Sequence, residues 1–387
     1  MLKKLLNGKF NLLPTFTAVL FAILLWAPLL QSWLKIFPDQ IASEKRLLEK
    51  SPELKNLSFE EAFELMGKYE KYYSDNFGFR GMLISMNNFF RVKYLKVLNP
   101  MPKVINGKEG WLFYNDPNDG VSIPDYCGLA PFSQKLLERI QQKVVNLSAT
   151  LKEKGAQLLI VVAPNKHTIY PEYLPPIELR KPECTRLDQL LDYLAKHHCD
   201  VPVLDLRKPL QLAKARMPVY YKNDTHWNNF GAFTAYTEIM RFLSKRLNVQ
   251  PPASLSDFDM NVHATNRTGD LAAMLSMSES FEEAVVEMAP KNRLAVVKEI
   301  TIPGEKAVAR QTYMAEVSSS GLPRLLMFQD SFGRLLMHFL SEHFSKSLYL
   351  SYSDLPETDK WIDREKPDIV IIEVVERNLE HLDMINP

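Results

Sequence analysis

The sequence predicts an α/β domain built on a mainly parallel sheet, preceded by a transmembrane helix and a juxtamembrane helical region. Three observations lead there: one bilayer-length run without charge near the amino terminus, an alternation of helix-period and continuous apolar segments after residue 100, and polar clusters where the apolar segments end. At 387 residues the chain has room for one large domain with smaller attachments. Its 46% apolar and 24% charged residues exclude extensive disorder. The 47 basic and 46 acidic side chains leave a net charge of +1, so the bulk basic character that nucleic acid demands is missing and no nucleic-acid partner is expected. That balance says nothing about an anionic polymer, which a locally charged cleft suffices to bind.

Lys3, Lys4 and Lys9 precede the stretch from Phe10 to Leu34, which is 25 residues without a charge. At about 1.5 Å rise per residue, roughly 20 residues cross the ~30 Å hydrocarbon core, so this run is long enough to span a bilayer. Pro14 falls near the start, where a helix tolerates it, and Trp33 falls where an interfacial ring would sit. The lysines place the amino terminus inside and everything after Leu34 outside. A cleaved signal peptide competes, but its apolar core is usually about 7–15 residues and ends in a small-x-small site. The longer run and the weak site over residues 37–43 favour a retained anchor. The expected organisation is a cytoplasmic tip and anchor over 1–35, a juxtamembrane helical region over 36–100, and the main domain over 101–387. Three cysteines, Cys127, Cys184 and Cys199, form neither a disulfide scaffold nor a zinc spacing. Cys184 and Cys199 are the pair placed to bridge in an oxidising compartment, with small apolar residues as the plainer reading.

Between residues 44 and 100, helical spacing runs from Phe59 to Tyr73 and again from about Met82 to Tyr94, interrupted at 75–80. Asn106 to Tyr114 reads as a tight turn entering a buried strand. Phe132 to Lys154 is an amphipathic helix closed by Gly155, and Gln157 to Pro164 is a continuous apolar strand. Leu187 to Lys196 is a helix, Val201 to Leu206 a short strand, and Gly231 to Leu247 a helix. Arg324 to Phe328 is a strand, Arg334 to His343 a helix, Ser347 to Leu350 a strand and Asp368 to Glu373 the last strand. Residues 291–314 suit an antiparallel excursion. Four Asn-x-Ser/Thr sequons occur, at Asn56, Asn146, Asn223 and Asn266. A glycan at Asn223 would obstruct its polar neighbours, so these are read as chance matches.

In a parallel sheet, ligands bind beyond the carboxyl ends of the strands. Three polar clusters fall there or beside a helix start: Asn165-Lys166-His167, Asp224-Thr225-His226-Trp227, and Gln329 to Arg334 around Ser331. A serine at a strand-to-helix turn presents its hydroxyl above the sheet, where backbone N–H groups at the helix start can hold an oxyanion. Serine needs an oriented imidazole as base, and Asp224 with His226 supplies one. Asp330 is the weaker partner, because its side chain should point away from that of its neighbour Ser331. Singly, these features have plainer readings: Asp-x-His as half of a metal site or a surface loop, and Asp330-Ser331 as a helix cap. His167, His263, His338 and His343 are rival bases, the last two reading as structural. Lys166, with Asn165, is expected in a cleft placing substrate, or else as a loop residue bonded to nearby backbone. Tyr221, Trp227 and Arg334 are further candidates for substrate contact, although Trp227 suits a core position equally. No cofactor and no metal are expected.

These residues resemble the SGNH-hydrolase-like acetyltransferases of the AlgX and AlgJ type, linked to O-acetylation of alginate and related exopolysaccharides. The matching signatures are Gly107-Lys108-Glu109-Gly110-Trp111-Leu112-Phe113, Ala163-Pro164-Asn165-Lys166, Tyr170-Pro171-Glu172, Tyr221 through Trp227, Thr268-Gly269-Asp270-Leu271, Asp330-Ser331-Phe332, and Lys366-Pro367-Asp368 through Glu376-Arg377. The resemblance implies a three-layer SGNH-like sandwich in which Asp224 orients His226, His226 activates Ser331, and Ser331 carries a transient acetyl group. Glu373 and Arg377 match a Glu-x-x-x-Arg pattern that lines the cleft, whereas Gln329 stands where the usual serine block has glycine. It further implies a polysaccharide acceptor, a polytopic membrane acyltransferase supplying acetyl groups, and a single-pass protein of the bacterial inner membrane with its catalytic domain in the periplasm. An esterase with the same residues and a noncatalytic scaffold of a secretion complex are the competing readings.

Overall fold

The computed structural model of the protein describes residues 12–36, 48–52, 59–97, 103–116, 118–175, 184–247, 249–277, 280–301, 311–318 and 321–386. The expectations for Lys3, Lys4, Lys9 and Phe10, for residues 37–43 and 307–309, and for the sequon at Asn56 lie outside them. The chain divides into two compact units, Met1–Val97 with Ala272–Ser278, and Leu98–Leu271 with Glu279–Pro387.

In the first unit, α1 (Leu12–Leu34) contains an 18-residue window of mean hydropathy 2.1 and is long and apolar enough to cross a membrane. Two further helices follow, α2 (Phe59–Asn76) and α3 (Arg80–Phe89), and α3 runs on into a π-helical turn over Phe90–Tyr94. The break between α2 and α3 lies where the sequence interrupts its helical period, with Phe79 in the left-handed region at φ 65°.

In the second unit a small antiparallel pair, β1 (Val104–Asn106) and β2 (Leu112–Tyr114), precedes the sheet. The main-sheet elements are α4 (Gln134–Glu153), β3 (Gln157–Ala163), α5 (Arg186–Lys196), β4 (Val203–Asp205) and α6 (Asn229–Leu243). A hairpin of β5 (Phe258–Thr265) and β6 (Glu283–Pro290) stands apart from the sheet. Then come β7 (Lys298–Ile300), β8 (Thr312–Glu316), β9 (Arg324–Gln329), α7 (Gly333–Leu340), β10 (Lys346–Ser351), α8 (Thr358–Glu365) and β11 (Ile369–Val375). The seven-stranded order is β4-β3-β11-β9-β10-β8-β7, parallel through the first five and antiparallel at β8 and β7.

Strands buried on both faces read as continuous apolar runs, and β3 and β11 do. Leu159, Val161, Ala163 and Ile371 face a core shared with α6 and α7, while Leu158, Ile160, Val162 and Ile372 face one shared with α4, α5 and α8. The result is a layered α/β sandwich on a mostly parallel sheet. Pairing of the Val201–Leu206 stretch shrinks to β4 because Pro202 has no N–H to give, although its carbonyl accepts from Ile160. The 291–314 excursion is antiparallel as expected, through β7 and β8. The β5–β6 hairpin and α8 are additions to the sequence reading, since α8 shows few apolar residues and buries only a face around Trp361 and Ile362. All three cysteines are free thiols, Cys184 exposed and unbridged to Cys199.

Parallel register aligns Val375 with Ala163 and Ser351 with Gln329, so the strand ends gather at one edge of the sheet. Buried carboxylates tie them together. Glu376, just past β11, accepts hydrogen bonds from the Asn165 N–H at 2.9 Å and the Thr168 hydroxyl at 2.6 Å, both in the segment after β3. Burial nevertheless pushes its carboxyl up from 4.5 to about 7. The folded state therefore holds a proton that the unfolded chain has released, and this contribution is full below pH 4.5 and lost as pH rises through 7. Glu376→Gln should remove a fall of about 3 kcal/mol in unfolding free energy across that interval. Urea unfolding at several pH values checks this; parallel curves for parent and variant would contradict it.

Candidate active site

The site is assembled from the turn after β9, the loop before α6 and the segment after β3. The turn after β9 is held from beneath by two carboxyl groups. Asp330 accepts the Phe332 N–H on one oxygen and the Val375 N–H on the other, both at 2.8 Å, so its side chain is turned away from Ser331 and tied to β11. The Asp330 N–H donates to Glu373 Oε2 at 3.1 Å. Glu373 is fully buried in β11; burial first, and then the charge of Asp330, push its carboxyl well above the ordinary range. Gln329, which stands where the family's serine block has glycine, is accommodated opposite Gly333, whose missing Cβ would lie 2.4 Å from the Gln329 amide oxygen. The result leaves Ser331 exposed at the head of α7.

The loop before α6 is pinched at its base by an antiparallel bridge between Tyr220 and Trp227. Inside it lies the Lys166 ammonium, which donates to the carbonyls of Tyr221 at 3.2 Å, Lys222 at 3.0 Å and Asp224 at 2.7 Å. Burial pulls this ammonium down to about 8, against the attraction of Asp224, Asp270 and Glu283. The loop so shaped presents Asp224 and His226 toward Ser331. His226 Nδ1 lies 2.6 Å from Asp224 Oδ1, and His226 Nε2 lies 2.7 Å from Ser331 Oγ. An ionised carboxylate can only accept, so Nδ1 carries the proton and Nε2 is left to accept from the Ser331 hydroxyl. A serine so bonded to an oriented imidazole is the arrangement that generates an oxygen nucleophile. Phe332 backs the imidazole with ring centroids 5.0 Å apart, and the Trp227 indole N–H donates to the Phe332 carbonyl, joining the two loops.

Arg267 donates to Asp224 Oδ2 at 2.9 Å, and its guanidinium lies 3.9 Å from the centre of the Tyr221 ring. Asp270 accepts both the N–H and the hydroxyl of Thr225, at 2.7 and 2.5 Å. Ligand atoms of Asp224, His226 and Asp270 lie within 4.8 Å of one another, but protein donors already occupy these carboxylates, so the cluster is a closed hydrogen-bond network. Neither Arg267 nor Asp270 has a role in the sequence reading, although Gly269-Asp270 belongs to the matched motifs; the folded loop supplies the contact that spacing does not reveal.

The other expected contact residues lie in the segment after β3, the loop before α6, β11 and the segment just past it, mostly deeper than a substrate contact allows. Asn165, Lys166, Tyr221, Trp227, Glu373 and Arg377 are all buried. Lys166 and Trp227 hold the loop before α6, Glu373 holds the turn after β9, and Arg377 donates to Asn165 Oδ1 at 3.4 Å between the Tyr114 and Phe332 rings. Sequence places a residue at a strand end without telling how far the next loop folds over it. Arg334 alone among the seven is exposed, on the cleft of about 410 Å³ that opens beside Ser331. Gln311, Tyr313, Gln329, Tyr352 and Ser353 also line this cleft. Among the rival histidines, His343 is buried against the Tyr236 hydroxyl at 2.7 Å and His167 is buried beneath the site.

Burial pushes the Asp224 carboxyl up, but the hydrogen bond and charge of His226 and the charge of Arg267 outweigh it and hold the carboxyl well below the ordinary range. Its contribution to stability is therefore present above about pH 4 and lost as pH falls through the folded value. Arg267→Met should lift that value, so unfolding in acid sets in at higher pH than in the parent chain. Superimposable acid-unfolding profiles would show that Arg267 carries none of this load.

The model of the family described as "SGNH hydrolase-like domain, acetyltransferase AlgX" matches residues 104–302, which include Asp224, His226 and Arg267 and end before Ser331. The probable alginate O-acetylase AlgJ of Pseudomonas putida is 27% identical over 183 residues, covering 46% of this chain and 44% of that protein. AlgJ of Pseudomonas aeruginosa is 27% identical over 223 residues, covering 57% and 52%. The chain thus spans about half the length of the curated relatives it matches. The solved structure of Bacillus cereus PatB1 shares the fold, with a TM-score of 0.53 at 18% identity over 71% of this chain and 96% of that one. With just over half of its length inside the family model, the chain belongs to the SGNH hydrolase-like AlgX family.

Proposed function

We propose that the protein is an O-acetyltransferase that carries an acetyl group as an ester on Ser331 and delivers it to hydroxyls of an exopolysaccharide. The observation that supports this most is His226 bridging Ser331 and Asp224 at 2.7 and 2.6 Å. Ser331 Oγ attacks the carbonyl carbon of an acetyl donor while His226 Nε2 takes the hydroxyl proton. The tetrahedral intermediate collapses with loss of the donor's leaving group, which takes that proton from His226. A sugar hydroxyl then attacks the seryl ester with His226 again as base, and Ser331 recovers its proton. Asp224 keeps the imidazole in one tautomer and offsets its charge. The Phe332 N–H is committed to Asp330 and the Gly333 N–H to Glu373, so we assign the oxyanion to the amide of Ser331 itself.

The cleft beside Ser331 presents hydroxyls, amides and the Arg334 guanidinium, groups suited to the hydroxyls of a sugar chain. Its openness to water makes transfer depend on how well the polymer is held against the acyl-enzyme. We take 1–35 as an anchor in the bacterial inner membrane, 36–100 as a juxtamembrane region and 101–387 as the periplasmic acetyl-transfer domain. There acyl-CoA is absent, and a polytopic membrane acyltransferase is the source of acetyl groups.

Mass spectrometry after exposure to p-nitrophenyl acetate should show an acetyl adduct on Ser331, discharged when exopolysaccharide is added, with polymer-bound ester appearing. Ser331→Ala and His226→Ala should abolish turnover with the fold intact, because neither opens a large apolar cavity. Asp224→Asn should slow turnover on the order of 10⁴-fold, by analogy with serine proteases. Release of free acetate with no polymer ester would identify an esterase instead. Polymer acetylation unaffected by Ser331→Ala but lost when the whole protein is deleted would favour a scaffold.

A further inference from the structure

In water, a helix that packs against a protein turns its apolar face inward. Helix α3 and its π turn do the reverse. The buried face carries Gly81, Asn88 and Val92, and the Asn88 amide donates to the Leu275 carbonyl at 2.8 Å. The outward stripe is Met82, Leu83, Met86, Phe90 and Tyr94, between 41% and 68% exposed. Such an arrangement needs an apolar medium outside the protein.

The start of α3 is fixed against α1. The Gly78 N–H donates to Ser32 Oγ at 2.7 Å, and a Cβ on Gly78 would lie 2.4 Å from the Pro28 carbonyl oxygen, so only glycine permits this approach. Pro28 to the helix end at Leu34 is about 9 Å along the axis. If α1 spans the bilayer, α3 therefore begins at the depth where amphipathic helices lie, about 5–10 Å into the headgroup boundary. Trp33, 86% exposed at the same end, and the aromatic pair Phe90 and Tyr94 are residue types that favour this boundary. Arg91 and Lys96 flank the carboxyl end of the stripe and would meet anionic headgroups.

We infer that α3 and its π turn lie in the plane of the membrane, with the Met82–Tyr94 stripe in contact with lipid. This rests on the reading of α1 as a membrane anchor and adds a second, non-spanning attachment to it. The test uses the full chain with Cys127, Cys184 and Cys199 replaced by alanine, reconstituted into vesicles of phosphatidylethanolamine and phosphatidylglycerol. A nitroxide is attached at Met86→Cys or, as a marker for α1, at Leu24→Cys, and its collisions with oxygen and with a water-soluble nickel chelate are compared. Met86 should favour oxygen over chelate, as Leu24 does. A Met86 label reached mainly by chelate would overturn the proposal, and so would one shielded from both reagents, which would mean a protein partner covers the stripe. If Leu24 is itself reached by chelate, the anchor reading fails, a result distinct from failure at Met86 alone.

Discussion

The candidate site depends on one buried cation. The Lys166 ammonium sits inside the loop before α6 and gathers three of its carbonyls, one group supplying donors to acceptors that point inward from successive residues of the loop. A buried ammonium is expensive unless its donors are used and opposite charge is near. Both conditions hold here, with Asp224, Asp270 and Glu283 supplying the charge. Asp224 projects from the loop with its carboxylate oriented by the N–H and ring of His226 and by Arg267. Removing the cation would take this donor from the buried carbonyls of Tyr221 and Asp224, while the Lys222 carbonyl would keep the Leu112 N–H. The orientation of His226 follows from Asp224, and that of Ser331 from the sheet beneath it.

Around this cation the charges alternate in a way that shapes the His226–Ser331 pair. Asp224 is stabilised as an anion between His226 and Arg267, whereas Glu373, buried under the turn after β9, is pushed toward its neutral form by desolvation and by Asp330. One carboxyl serves as a charged partner for an imidazole, the other as a buried prop for a backbone turn. Environment separates the two roles, as burial and neighbouring charge shift titration in opposite directions. The props of the site, Lys166, Glu373 and Asp224, are interior, while Ser331, part of His226, part of Arg267 and cleft residues such as Arg334 meet solvent.

Much of this was legible in the sequence because it depends on periodicity and on short-range chemistry. The continuous apolar runs of β3 and β11 announced a sheet covered on both faces, and a parallel sheet gathers its strand ends on one edge, which is why residues as distant as Asp224 and Ser331 come together. Depth was not legible. Lys166, Trp227 and Glu373 fall at the expected edge but are buried by loops whose fold depends on long-range contacts. Arg267 was invisible for the same reason: its partner Asp224 lies 43 residues away, linked by loop geometry that no local pattern encodes. The helix α8 escaped notice because its charged surface masks a narrow apolar face, and the β5–β6 hairpin because its alternation is largely exposed.

The central claim is that His226 holds its proton on Nδ1 toward Asp224 and offers Nε2 to Ser331. Proton NMR of the full chain with isotope-labelled histidine tests it directly. A far-downfield ring N–H resonance assigned to His226 Nδ1 should persist in Ser331→Ala and disappear in Asp224→Asn. A His226 ring protonated on Nε2, or a resonance indifferent to Asp224→Asn, would contradict the account.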